Sequence, residues 1–253
     1  MAAALERIKL TIAYDGRPFS GWQSQADNNG VQDHIEAAFF AVAKVRLRIH
    51  GSGRTDAGVH ALAQVAHADV PRGHLAPAIW QAALNANLPS GIRITCASRV
   101  RGGEDGFHAR FSATGKRYVY RLWNAPYMHP LEIRRAWHVP RTLDLALLRA
   151  AAAKLTGRHD FARFTANRGH KERDTVRTIR RIAVTTRGAL ITLTFEGDGF
   201  LYKMVRLLTG TIVRVAEGRA PLSFITDLLT PNVRARTHFM GVAEGLYLSR
   251  VFY

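Results

Sequence analysis

The residues that invite chemistry gather in one ten-residue stretch, Gly51-Ser52-Gly53-Arg54-Thr55-Asp56-Ala57-Gly58-Val59-His60. It sets one carboxylic acid next but one to a guanidinium in a turn-rich segment after a strand-like run, and loops at strand ends commonly carry binding and catalytic groups. An ionised carboxylate placed there can act as a nucleophile or as a stabiliser of developing charge. The same composition suits a plain glycine-rich connection, with Asp56 in a local turn hydrogen bond and Arg54 solvated, and spacing alone leaves both readings open. Other chemistries are not spelled out. Asp56 stands where a dinucleotide fingerprint begun by Gly51 and Gly53 needs its third glycine, and Gly115-Lys116 is followed by Arg117 rather than serine or threonine. The eleven histidines contain no HExxH pair, and His60 and His67 decorate an alternating segment, so no metal site is expected.

Such a loop needs a scaffold, and the hydropathy periods outline one. Ile8, Leu10, Ile12 and Tyr14 alternate with polar or small residues, as do Val45, Leu47 and Ile49, which predicts two half-buried strands. Val31, Ile35, Ala38, Phe39 and Val42 fall at helical spacing after the Asn28-Asn29-Gly30 breaker. A strand over Gln64 to Asp69, a helix over Pro77 to Leu88 and a strand over Ile92 to Ser98 complete a βαββαβ first half. The second half repeats that order. It starts with a strand over Tyr118 to Trp123, a helix over Leu143 to Thr156 opened by Thr142 and closed by Gly157, and strands over Ile179 to Thr185 and Leu190 to Phe195. A helix with the stripe Leu201, Val205, Leu208, Ile212 and Val215 follows, expected to be N-capped by Asp198, then a short helix over Leu222 to Leu229 and a strand over Leu246 to Phe252. The fold class is α+β: two split βαβ (ferredoxin-like) units sharing a mainly antiparallel sheet, with a central basic cleft. We place an N-terminal subdomain at residues 1–105, carrying the Asp56 loop, and a more basic C-terminal subdomain at residues 106–253.

Charge narrows the partner. The chain of 253 residues carries 36 basic and 19 acidic side chains, a net +17, which points to a polyanion, with nucleic acid ahead of an anionic membrane surface. Residues 101–253 hold 26 of the basic and 12 of the acidic groups, so +14 of the +17 belongs there. The densest stretch, Arg158 to Arg181, could hold a phosphate backbone or be a solvated basic loop. One cysteine, Cys96, rules out an internal disulfide and fits a reducing cytoplasm, and neither a signal peptide nor a membrane span is predicted. A non-catalytic RNA-binding protein fits the charge equally well; an RNA-cleaving enzyme would want paired histidines or a carboxylate cluster, and none stands out.

The octapeptide Gly53-Arg54-Thr55-Asp56-Ala57-Gly58-Val59-His60 resembles the catalytic signature of the tRNA pseudouridine synthase A family. Further blocks match in order: Tyr14-Asp15-Gly16, Gly21-Trp22-Gln23, Val31-Gln32, Asn85-Ala86-Asn87-Leu88-Pro89 and Phe107-His108-Ala109-Arg110-Phe111-Ser112-Ala113. Lys116-Arg117-Tyr118-Val119-Tyr120, Asp160-Phe161, Phe200, Met204-Val205-Arg206 and Glu244-Gly245-Leu246-Tyr247-Leu248 continue the match over essentially the whole chain. Thr165 to Glu172 departs from it, being more basic and lacking a cysteine.

The resemblance implies conversion of uridine to pseudouridine at positions 38, 39 and 40 of the tRNA anticodon stem-loop, by a cytoplasmic homodimer with no cofactor. It assigns the nucleophile to Asp56, the cation that keeps a desolvated carboxyl ionised to Arg206, and a ring stacked on the target uracil to Tyr118. Arg54 and Arg110 are implied to engage RNA, and Leu246 to line the pocket. Tyr120 is read as core.

Overall fold

The computed structural model describes residues 5–166, 174–231, 233 and 236–253, so that Arg168, Lys171 and Arg173 of the basic stretch lie outside the described residues. The chain is α+β with mostly antiparallel pairing, and its contacts divide it into two compact units, Met1–Thr114 with Leu248–Tyr253, and Gly115–Tyr247.

The first unit follows β1 (Leu5–Tyr14), α1 (Val31–Ala43), β2 (His50–Gly51), β3 (His60–Pro71), α2 (Pro77–Asn87) and β4 (Ile92–Val100). Its strands lie in the order β4-β1-β3, with β2 also on β3 and every one of these pairs antiparallel, which is the split βαβ arrangement that the periods predict. Alternation in β1 buries Ile8, Leu10 and Ile12 completely. α1 begins where Gly30 N–H donates to Asp33 Oδ2 at 2.8 Å and stops at Lys44, which is left-handed at φ 57°. The two helices meet through Phe39 and Trp80, whose ring centroids are 5.4 Å apart.

Charged residues of the same strand face the other way. Arg7 grips Asp69 through two 2.7 Å hydrogen bonds and donates at 2.9 Å to Phe107 O, while Lys9 Nζ lies 4.3 Å from the Tyr253 ring centroid. These contacts tie the 106–114 segment and the C-terminus to the first unit.

The second unit contains β5 (Gly115–Trp123), β6 (Trp137–His138), α3 (Leu145–Lys154), β7 (Gly157–Asp160), β8 (Val176–Arg187), β9 (Leu190–Gly197), α4 (Met204–Ala216) and α5 (Ser223–Leu229), and the chain ends in β10 (Leu246–Phe252). β5, β9, β8 and β7 pair antiparallel in that order, and β6 adds in parallel to β5. α4 is buried over most of its circumference; its Thr209 and Thr211 hydroxyls are satisfied by donating to Val205 O and Leu207 O at 2.8 and 2.9 Å. Among the described residues no helix is long and apolar enough to cross a membrane.

Three local expectations give way to competing hydrogen bonds. Val45 to Ile49 is not a strand, because Ile49 N–H donates to Glu36 Oε1 of α1 at 3.0 Å and Val45 is left 44 % exposed. α3 is capped by Asp144, which accepts from Ala146 N and Leu147 N at 2.8 and 2.9 Å, and not by Thr142. Asp198 caps no helix: it accepts from Thr178 N at 3.1 Å, and α4 begins only after the left-handed Lys203.

Candidate active site

Asp56 sits half-buried in the β2–β3 connection of the first unit, on a loop whose shape is set from beneath. Val59 N donates to Asp56 O at 3.1 Å, closing a turn whose third residue, Gly58, has φ 79°. That left-handed position is the one that a type II turn reserves for glycine. Trp22 N donates to Thr55 O at 3.0 Å, and Gly21 (φ 95°) lies so close that a β-carbon there would meet Thr55 O at 2.7 Å and Asp56 C at 3.1 Å. A β-carbon on Gly51 would press on the Trp22 indole at 2.6 Å, so these two glycines let two stretches of backbone and one large ring pack against the loop.

Polar groups underneath complete the clamp. The Tyr14 hydroxyl and Thr55 Oγ1 share a buried 2.8 Å hydrogen bond. Burial pushes the Tyr14 hydroxyl well above its ordinary pKa, against the opposing pull of the Thr55 and Gln64 hydrogen bonds, so it stays neutral. Gln64, fully buried on β3, accepts from Ser52 Oγ at 2.7 Å and donates to Gly53 O at 2.9 Å. His60 Nδ1 accepts from Gly16 N at 3.2 Å and lies 3.2 Å from Asp15 Oδ1, a structural role on β3. A buried hydrogen-bond network of this kind fixes the loop that carries the carboxylate. The sequence shows Tyr14 as a strand residue in a family-matching block and Gln64 as the start of a strand; their loop-bracing role needs the fold.

Arg54 and Arg110 also belong to the first unit and are exposed. Arg110 follows His108, whose Nδ1 accepts its backbone N–H at 3.1 Å, and its guanidinium carbon is 5.7 Å from the Phe111 ring centroid.

The second unit holds Tyr118, Arg206 and Leu246. Tyr118 on β5 is 8 % exposed and meets Phe200 edge-on, with centroids 5.2 Å apart at 83°. Tyr120, two residues on, is fully buried, and its hydroxyl donates to Val242 O at 2.5 Å. Arg206 lies half-buried in the first turn of the otherwise mostly buried α4, Met204–Ala216. Its Nε donates to Gly241 O at 2.9 Å while Gly241 N donates to Arg206 O at 3.0 Å, so residue and loop hold each other from both ends. The close approach depends on glycine, since a β-carbon on Gly241 would overlap the Tyr120 hydroxyl and one on Gly245 would meet its ring at 2.7 Å. Leu246 opens β10 and is 6 % exposed.

The first unit thus presents a half-buried carboxylic acid on a braced turn, and the second, taken by itself, a tyrosine ring and a guanidinium tethered to the backbone of Gly241. Comparison with known proteins shows the family. The family profile described as tRNA pseudouridine synthase matches residues 10–112 and 151–253. The tRNA pseudouridine synthase A of Akkermansia muciniphila is 46 % identical over 256 residues, covering 98 % of this chain and 96 % of its own. That of Solidesulfovibrio magneticus is 44 % identical over 258 residues, covering 98 % and 92 %, and that of Geobacillus kaustophilus 40 % identical over 250 residues, covering 98 % and 95 %. The Asp56 loop and the Arg206 helix both fall within the matched segments, and the chain belongs to the tRNA pseudouridine synthase family.

Proposed function

We propose that this protein isomerises uridine to pseudouridine at positions 38, 39 and 40 of the tRNA anticodon stem-loop, with Asp56 as the nucleophile. The reaction breaks the N1–C1′ bond, turns the uracil, joins C5 to C1′, releases the C5 proton and places a proton on N1, so the composition and oxidation state are unchanged. Whether the carboxylate adds to the sugar or to the base, it is regenerated when the new bond forms. Tyr118 stacks on the everted uracil, Arg206 supplies the positive charge that keeps a desolvated carboxyl ionised, and Leu246 gives the pocket an apolar wall. Arg54 and Arg110 contact the RNA. The cost of extracting a paired nucleotide, a few kcal/mol, is offset by backbone contacts from a chain of net charge +17. The working form is a cytoplasmic homodimer.

The observation that carries this reading is the loop itself: within Gly53–His60 of a chain in this family, the one acid is half-buried on a turn braced by the Tyr14, Gln64 and Trp22 contacts. The test is tritium release from tRNA transcribed with 5-tritiated uridine, because forming the C5 glycosidic bond expels that hydrogen. Release from the anticodon stem-loop is expected, and mapping the product to residues 38–40 checks the position. A chain that binds tRNA and releases nothing is a binder, and product elsewhere in the tRNA defeats the assigned site.

A further inference from the structure

The first unit builds a turn at 108–112 that carries Arg110 and, beside it, Phe111, to which no role has been given. His108 Nδ1 accepts from both Arg110 N and Phe111 N, at 3.1 and 3.2 Å. His108 and Ser112 close the turn from both ends, with His108 N donating to Ser112 Oγ and Ser112 N to His108 O, each at 2.9 Å. Ala109, fully buried, anchors it by donating to His67 Nδ1 at 3.1 Å and accepting from the Tyr253 hydroxyl at 2.8 Å. All this holds up one side chain that the core does not use, since Phe111 is 77 % exposed.

The Phe111 ring carries two neighbours, the stacked His108 ring and the Arg110 guanidinium over it at 5.7 Å, and still leaves most of its surface exposed. His108 stacks on it at 4.3 Å and 28°, and His108 in turn packs on His67 at 4.7 Å and 66° and on His50 at 5.8 Å. Burial, then the neighbouring charges of His50, Arg7 and Arg110, lower the His108 pKa, so that this backing ring is neutral at pH 7. The local positive charge next to Phe111 therefore comes from the exposed Arg110, 5.7 Å from the ring centroid.

We infer that Phe111 is a stacking platform for one unpaired nucleobase of the bound RNA, with Arg110 taking an adjacent phosphate. A single flat ring, pre-oriented by a hydrogen-bonded turn, largely exposed and paired with a guanidinium, matches the shape and charge of one nucleotide, whereas a lipid surface or a protein core would call for a contiguous apolar patch. The turn bears the ordering cost before RNA arrives, which is what makes one exposed ring worth having. The inference rests on RNA being the ligand, as proposed above, and extends it to a contact remote in role from the reacting base.

The test compares wild type with Phe111→Ala, Phe111→Leu, Phe111→Trp and Arg110→Ala, binding unmodified tRNA transcript and a blunt RNA duplex across a salt series. Each Phe111 variant changes an exposed side chain, and a thermal melt confirms that it folds. Phe111→Ala and Phe111→Leu are expected to weaken tRNA binding about 5- to 100-fold with the salt slope unchanged, and Phe111→Trp to keep affinity within about twofold. Duplex binding should be unmoved by any Phe111 variant, and Arg110→Ala should lower the salt slope by about one. Full affinity in Phe111→Ala or Phe111→Leu overturns the platform, as does a change of oligomeric state without a change of affinity, which would make Phe111 a self-association contact. Because these readouts are binding constants, a wild-type chain that binds tRNA but releases no tritium defeats the proposed reaction and leaves the platform standing or falling on its own data.

Discussion

Gly210→Ala couples the packing of α4 to the position of Arg206. Gly210 lies in the buried middle of Met204–Ala216, and a β-carbon there would overlap Phe239 O and come within 2.9 Å of Met240 N. A carbon–oxygen contact tolerates about 3.3 Å, so the 239–240 backbone must retreat by about 1 Å. Alanine favours a helix interior by about 1 kcal/mol over glycine, while overpacking of this kind costs about 1–3 kcal/mol and a broken hydrogen bond about 1 more. The hydrogen bonds at risk are those between Arg206 and Gly241, at 2.9 and 3.0 Å, and the 2.9 Å bond between Thr211 Oγ1 and Thr237 Oγ1. The net expectation is a loss of about 1–3 kcal/mol, seen as a melting temperature lower by about 2–10 °C. Displacing the carbonyl that holds the Arg206 guanidinium by about 1 Å should lower turnover by about 10- to 100-fold at a temperature where the variant is folded. Thermal melts and single-turnover tritium release read the two effects separately. A variant as stable as wild type refutes the packing argument, and a destabilised variant with wild-type turnover refutes the link from the Gly241 carbonyl to Arg206.

Other perturbations probe the loop, the ring and the histidines. Gln64→Leu should cost about 2–3 kcal/mol in denaturant unfolding and slow release about tenfold or more, since it strips Ser52 Oγ and Gly53 O of buried partners, and unchanged unfolding and rates would remove Gln64 from the loop's support. Tyr118→Phe keeps the stacking ring and removes the hydroxyl, proposed to sit near the base carbon that must lose its proton, so it should bind tRNA as wild type does and react slowly, whereas normal rates would reduce Tyr118 to a stacking surface. His67 is held to a pKa of about 4 by burial first and then by Arg7, His108 and His50. The unfolded chain takes up that proton near its ordinary value of about 6.5, so stability is full above that pH and falls, by up to about 2 kcal/mol after solvent screening, as pH drops towards 4. Urea midpoints from pH 7 to 4 should show a slope that His67→Gln flattens, and equal slopes in the two proteins would contradict the assignment.

The order of strands and helices was legible because period-2 runs such as Ile8-Leu10-Ile12 and the α1 stripe report burial directly. Failures came where a side chain captured a backbone donor from a distance. Glu36 takes the Ile49 N–H that a strand would have used, and Asp198 serves Thr178 across β8 rather than the helix that follows it. The Asp56 segment was legible as a family signature, but its physical support was not: Tyr14 and Gln64 look like any inward strand residues until the register sets Ile12 opposite Gln64 and Tyr14 opposite Ala61. The Arg206–Gly241 tether likewise spans 35 residues of sequence, beyond the reach of any local pattern.

Asp56→Asn isolates the proposed role of the Asp56 carboxylate, since the amide keeps the size of the side chain and removes its charge. In single-turnover tritium release with tRNA in excess of its dissociation constant, Asp56→Asn is expected to bind tRNA at least as well as wild type and to release no tritium above background. Release at a rate within about tenfold of wild type, from a variant shown by mass to carry asparagine, would contradict that role.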